Sequence, residues 1–191
     1  RSIGSLAFCH AYQLQYLRLP EGIERMGVYT FSHNRCATCR IPTNFTTITI
    51  QLIGSCKSMF SIELSGGITV IKQSAFYESH SLRNIAFPLN AQEEGAKLFE
   101  RCFDLQQLYD TDEQLTNALK NRFDNLPIHK MIYYQSYNTV TVDQLNEATS
   151  IRISQRRSKL DLTGKQQDCL GMTPLHILAC STVQSIELYK A

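Results

Sequence analysis

Cys36 and Cys39 make a C-x-x-C with His33 just upstream, a grouping that elsewhere holds zinc or exchanges disulfides. A closed zinc site needs four ligands, and no second paired set stands at finger spacing. Glu93 and Glu94 could be read as an acid and a base. Adjacent residues on a helix point in different directions and cannot flank one bond, so the pair reads as a solvated helix start. His10, His33 and His80 have no carboxylate and nucleophile at a recurring offset. A Walker loop, a G-x-G-x-x-G, an H-E-x-x-H and a G-x-S-x-G are all absent from the sequence. The expectation is a non-enzymatic chain with no catalytic, cofactor-binding or metal-binding residue and no small-molecule substrate.

What the cysteines do instead is set by a repeat. Phe8, Phe31, Phe76 and Phe99 are spaced by 23, 45 and 23 residues, and Ile53 stands where the missing aromatic belongs. Leu14, Cys36, Met59, Leu82 and Leu105 keep the same beat, as do Leu17, Cys39, Ile62, Ile85 and Leu108, and Leu19, Ile41, Leu64 and Phe87. A fixed period in this range marks a solenoid whose units bury their apolar edges against each other. Cys36 and Cys39 fall in Leu and Ile columns, so both are expected reduced, buried and metal-free. Cys56 and Cys102 share a column with Ala11, Asn34 and Ser79, which reads as a small residue inside a tight turn.

The unit reads I-x-x-x-A-F-x-x-x-x-x-L-x-x-I-x-L-P, clearest from Ile71 to Pro88. Pro20, Pro42 and Pro88 close three units, and Gly22 and Gly66-Gly67 supply turns. This pattern resembles the BspA-type leucine-rich repeat over residues 1 to about 109, in roughly five units. The resemblance implies a solenoid with short parallel strands. It also admits a cell-surface role, because relatives of this repeat class include adhesins. Ile3 already lies inside a unit, so the chain reads as a piece of something longer.

At Asp110 the apolar column stops. Asp112 and Glu113 then begin a helical pattern carrying Leu115, Leu119 and Phe123, which predicts a capping or bridging helix over 110–125. Asp168-Cys169-Leu170-Gly171-Met172-Thr173-Pro174-Leu175-His176 resembles the ankyrin opening, and Pro127-Ile128-His129 is a weaker copy of it. The resemblance implies an α-helical, ankyrin-like segment over 126–191 with two units, the last truncated, and a structural role for His129 and His176. In the local chemistry, Gly171 permits a tight turn, Thr173 caps a helix that Pro174 opens, and His176 bonds turn backbone. Val142, Leu145, Ala148 and Ile151 suit a second helix. Residues 154–167 read as an extended loop. The fold class expected overall is a repeat solenoid of the α+β kind followed by helices.

Lys and Arg number 19 against 17 Asp and Glu, so no general basic excess points to nucleic acid. No apolar run approaches a membrane span. The one dense charge cluster is Arg152, Arg156, Arg157, Lys159 and Lys165, read as a solvated loop. The expected function is therefore a protein-interaction scaffold in the cytoplasm. The alternatives are a surface or secreted recognition module, for which Asn44-Phe45-Thr46 is a formal glycosylation acceptor, and the recognition region of a larger signalling protein or enzyme. If Leu17, Cys39, Ile62, Ile85 and Leu108 point inward, period-two alternation turns their neighbours outward. The partner-binding set expected on that wall is Tyr16, Arg18, Arg40, Glu63, Asn84 and Tyr109.

Overall fold

A computed structural model describes residues 1–14, 17–135 and 166–180. They form two compact units that divide between Asn121 and Arg122.

The first unit is a solenoid with two parallel walls. On one, β1 (Ser2–Ile3) pairs with β3 (Arg25–Met26), and β5 (Thr47–Ile48), β7 (Val70–Lys72) and β8 (Gln92–Glu94) form a second sheet. On the other, β2 (Leu17–Arg18), β4 (Thr38–Arg40) and β6 (Ser61–Glu63) lie side by side with Leu17, Cys39 and Ile62 in register. The fourth rung of this wall is reduced to one bridge, Ser61 to Asn84. Each rung gives only two or three residues to a wall, so stability comes from stacking rather than from strand length.

The predicted columns fill the interior. Phe31, Phe76 and Phe99 are fully buried, with Phe76 and Phe99 stacked at 5.5 Å and Phe87 packed on both. Cys36, Cys39, Ile62, Leu82 and Ile85 are buried with them. Two expectations fail at the ends. Phe8 stacks on Phe31 at 5.5 Å but is 42% exposed, because no rung covers its other face among the described residues. Leu108 is 50% exposed, because the fifth rung leaves the strand path for a short helix, α1 (Phe103–Gln106).

The next helix, α2 (Asp112–Lys120), starts where the sequence placed it. Thr111 is its N-cap, its hydroxyl accepting the Gln114 N–H at 3.2 Å. Leu115 and Leu119 are buried, and the Leu119 carbonyl accepts the Phe87 N–H, which ties the helix to the last rungs. Glu93 and Glu94 are not a helix start. They lie on β8, where alternation sends them apart: Glu94 pairs with Lys72 on the neighbouring strand, and Glu93 with Lys120 of α2 at 2.7 Å. Glu93 stands in register with Ile71, so the apolar column ends there on a carboxylate that the capping helix neutralises.

The second unit holds α3 (Pro127–Gln135) and α4 (Pro174–Cys180), which pack on one another. Both begin with proline, whose missing N–H costs nothing at the first helical position. The expected second helix near 142–151, the Arg152–Lys165 cluster and all of its loop before residue 166 lie outside the described residues.

Candidate protein-recognition surface

The strand wall does not offer the free surface that alternation predicts. Glu63 is 2% exposed and Asn84 1%, with Ser61 and Ala86 equally hidden. The physical reason lies in the stacking. Parallel rungs stand about 4.8 Å apart, so short polar side chains on successive rungs close over each other, and Asn84 Nδ2 donates to Ser61 Oγ at 2.9 Å. Glu63 is in register beside Arg40, a residue of opposite charge. As exposed positions, Glu63 and Asn84 are therefore corrected. Arg40 and Tyr109 are half-buried. Arg18 takes its place on β2 opposite Arg40. Tyr16 lies outside the described residues.

The side of the solenoid that turns from the first wall to the second is built differently. Two residues in every rung sit in the left-handed region, and none is glycine: Leu6, Tyr29, Gln51, Ser74 and Lys97 in one column, His10, His33, Ser55, Glu78 and Arg101 in the other, with φ from 45° to 67°. That conformation costs about 1–2 kcal/mol per non-glycine residue. The offset is a ladder along the solenoid axis. Leu6, Phe8 and His10 donate their N–H groups to the carbonyls of Val28, Thr30 and Ser32, and Tyr29, Phe31 and His33 repeat this to Ile50, Leu52 and Gly54. No glycine signal advertises these turns, so sequence reasoning missed them; the signal is a column of mixed residues beside the Phe column.

Just after the second left-handed column runs an inward one, Ala11, Asn34, Cys56, Ser79 and Cys102. Its members are more than small. Cys56 Sγ donates to the Phe31 carbonyl at 3.0 Å, Ser79 Oγ to Ile53 at 2.9 Å and Cys102 Sγ to Phe76 at 3.0 Å. A thiol and a hydroxyl do the same work here, meeting a backbone acceptor one rung back. Burial pushes the Cys36 thiol up to about 11 and those of Cys56 and Cys102 up to about 12, and it raises Cys39 as well, so none is a ready thiolate. Cys9, Cys36, Cys39, Cys56 and Cys102 form no disulfide, and Cys36 Sγ donates to the Leu14 carbonyl at 3.3 Å. Among the described residues no group of three or more His, Cys, Asp or Glu could hold a metal ion.

Most of the flanking positions face solvent, Ser55 being the buried exception. His10 and His33 stack at 4.6 Å, and His10 Nδ1 lies 2.7 Å from the Tyr12 hydroxyl. Glu78 bridges rungs, accepting from Ser55 Oγ at 3.0 Å and pairing with Arg101 at 2.5 Å. Partial burial pushes its carboxyl up, but bonds from Arg101, Ser55 and Tyr77 outweigh that and hold it below the ordinary value.

In the second unit, Thr173 Oγ1 lies 3.0 Å from His176 Nδ1 and accepts the His176 N–H at 3.3 Å. Asp168 accepts the N–H groups of Leu170 and Met172, both at 2.9 Å, which folds the turn around Gly171. Its other oxygen pairs with Arg122 at 2.8 Å, both side chains fully buried, and the guanidinium lies over Phe123 and Tyr133. His129 is buried too, with Nε2 2.9 Å from the Gln166 carbonyl; burial pushes its imidazole down. Nothing in the sequence reveals the Arg122–Asp168 pair, whose members are 46 residues apart.

Parallel rungs of 22–23 residues, with one Phe column and an exposed turn on each side, define a leucine-rich-repeat solenoid. The chain belongs to the BspA type leucine rich repeat region family, which it matches over residues 1–106 in six copies. Among solved structures it is similar to a leucine rich cell surface protein from Faecalibacterium prausnitzii, at 24% identity and a TM-score of 0.49. The similarity covers 53% of this chain, which spans only 27% of that protein. No curated protein matches.

Proposed function

We propose that this chain is a non-catalytic protein-recognition module. The observation that carries the reading is the turn side of the solenoid, where a buried column fixes the backbone and most positions flanking it are exposed and differ in residue type from rung to rung. A rigid ladder of this kind supports recognition without disturbing the core. Arg40 and Tyr109, both half-buried, and Arg18, in register with Arg40, are kept as further contact residues on a face separate from the turn side. In domain terms, residues 1–109 carry the repeats, 110–125 the cap, and 126–191 an ankyrin-like segment. The last reading is supported by the Thr173–His176 pair and the proline starts of α3 and α4. The recognition region of a larger signalling protein or enzyme is kept as the second reading.

For compartment we adopt the surface or secreted setting over the cytoplasmic one. The cytoplasmic expectation rested on the reduced core cysteines and on the ankyrin-like segment, whereas the family match covers the repeats. Asn44 of the Asn44-Phe45-Thr46 acceptor is also exposed.

The test is capture by the immobilised chain from surface-labelled and cytosolic fractions separately, followed by reconstitution with purified protein. A stoichiometric complex with a surface protein is expected. Failure to form a complex with a protein from either fraction overturns the recognition reading, and a complex only with a cytosolic protein overturns the compartment.

A further inference from the structure

The two turn sides of the solenoid carry opposite charge. The short side, residues 20–24, 42–46, 65–69 and 88–92, has Glu21 and Glu24 and no Lys or Arg, a formal charge of −2. On the long side the positions just after the inward column are Tyr12, Arg35, Lys57, His80 and Phe103, and those just before it are His10, His33, Ser55, Glu78 and Arg101. Over the long-side segments 4–14, 27–37, 49–60, 73–83 and 95–106, five Lys and Arg stand against three Asp and Glu, a formal charge of +2, and in these two columns the only carboxylate is Glu78. That one carboxylate is already engaged by Arg101 and Ser55, and the nearby Glu100 and Asp104 are held by Lys97 and Arg83. Arg35 and Lys57 are exposed on adjacent rungs, and none of the ion pairs among the described residues involves them. Tyr12, 52% exposed, and the stacked His10 and His33 lie at the same end of this side.

We propose that the long turn side is a docking surface for an acidic, extended segment of a partner protein, with Arg35 and Lys57 as its cationic anchors. This rests on the recognition reading above and names the chemistry of the partner. Carboxylates on alternate residues of an extended chain stand about 7 Å apart, within reach of long cationic side chains one rung apart, and a guanidinium takes a carboxylate in bidentate fashion. Tyr and Arg are the residues that anchor interfaces. A nucleic acid fits less well. Its affinity comes from many phosphate contacts, and two unpaired cations supply few. The exposed rings are also engaged, Tyr12 with His10 and Phe103 with His80 at 4.7 Å.

The experiment titrates the full chain with poly-L-glutamate, single-stranded poly-dT and heparin, reading fluorescence anisotropy at low and physiological salt. Poly-L-glutamate is expected to bind, with affinity falling about five- to tenfold in the double variant Arg35→Gln, Lys57→Gln. The control Arg25→Gln, Lys130→Gln removes the same charge at other exposed positions and should change little. Absence of binding, equal binding by the double variant, or tighter binding of poly-dT or heparin overturns the proposal. If the reconstituted natural complex survives the double variant, this surface is wrong while the recognition reading stands; if no complex forms at all, the recognition reading itself falls.

Discussion

The strand wall and the long turn side are made by the same rungs, yet one behaves as interior and the other as surface. On the wall, alternation puts Ser61, Glu63, Asn84 and Ala86 on the face away from the core columns, and all four are buried. On the turn side, His33, Arg35 and Lys57 are exposed although Phe31, Asn34 and Cys56 beside them are buried. The difference lies in the backbone. A short strand in a parallel stack brings like positions of neighbouring rungs together, whereas on the turn side left-handed residues lie two before and two after the Phe column, the second just ahead of the inward column, and N–H groups there run along the axis. Variation in residue type therefore marks a recognition surface only where the backbone also exposes it.

The largest effect should come from removing the anchor of the turn side. Phe76→Ala deletes a fully buried ring stacked between rungs and should cost about 3–5 kcal/mol, measured by urea unfolding of the first transition. Phe8→Ala, at the partly open end, should cost clearly less. Equal losses would mean that the turn side is not graded from middle to end, and that Phe8 is as enclosed as Phe76.

The wall is tested next. Asn84→Ala removes a buried hydrogen bond and leaves Ser61 Oγ without its donor, so a loss of about 1–3 kcal/mol is expected. A surface substitution stays within about 0.5 kcal/mol. A loss that small would return the wall to the surface and reverse the comparison. Arg35→Gln, by contrast, should fall within that surface range.

Much of this fold was legible because period is a global signal. The apolar columns gave the rungs, the buried cysteines and the register Leu17–Cys39–Ile62, and Asp112 and Glu113 with Leu115 and Leu119 gave the helix that follows, although it ends at Lys120, short of Phe123. What was not legible depends on backbone geometry or on distant partners. The left-handed columns contain Leu, Tyr, His and Lys, residues that announce no turn. Glu93 looked like half of an exposed pair because its partner, Lys120, comes from a helix 27 residues on. The same limit hid the candidate site. Arg35 and Lys57 differ by 22 in number, and their neighbouring positions beside one inward column become visible only once that column is known to donate to the rung behind it.

Glu78 offers a smaller effect, readable through pH. Its carboxyl is held below the ordinary value of 4.5 in the folded state, so its contribution to stability is present above that value and is lost as pH falls through the lower folded value. Glu78→Gln should flatten this part of the acid limb and lower stability at neutral pH by the same amount, a small one since the pair with Arg101 is partly solvated. The measurement is urea midpoint against pH for the two proteins. Parallel acid limbs would remove Glu78 from the ladder.

The smallest expected change is a gain. Ser74 sits at φ 54° in the left-handed column, and none of the described hydrogen bonds uses its side chain. A glycine pays no steric penalty there but brings more freedom to the unfolded chain. The left-handed penalty of about 1–2 kcal/mol is thus offset by roughly 0.5–1 kcal/mol of added entropy cost, and Ser74→Gly should raise stability by up to about 1 kcal/mol. Ser58 lies outside both left-handed columns, so Ser58→Gly should instead lower stability or leave it unchanged. If Ser74→Gly destabilises as much as Ser58→Gly does, the turn at Ser74 is not left-handed in solution. The flanking residues would then owe their exposure to something other than the turn geometry that separates this side from the strand wall.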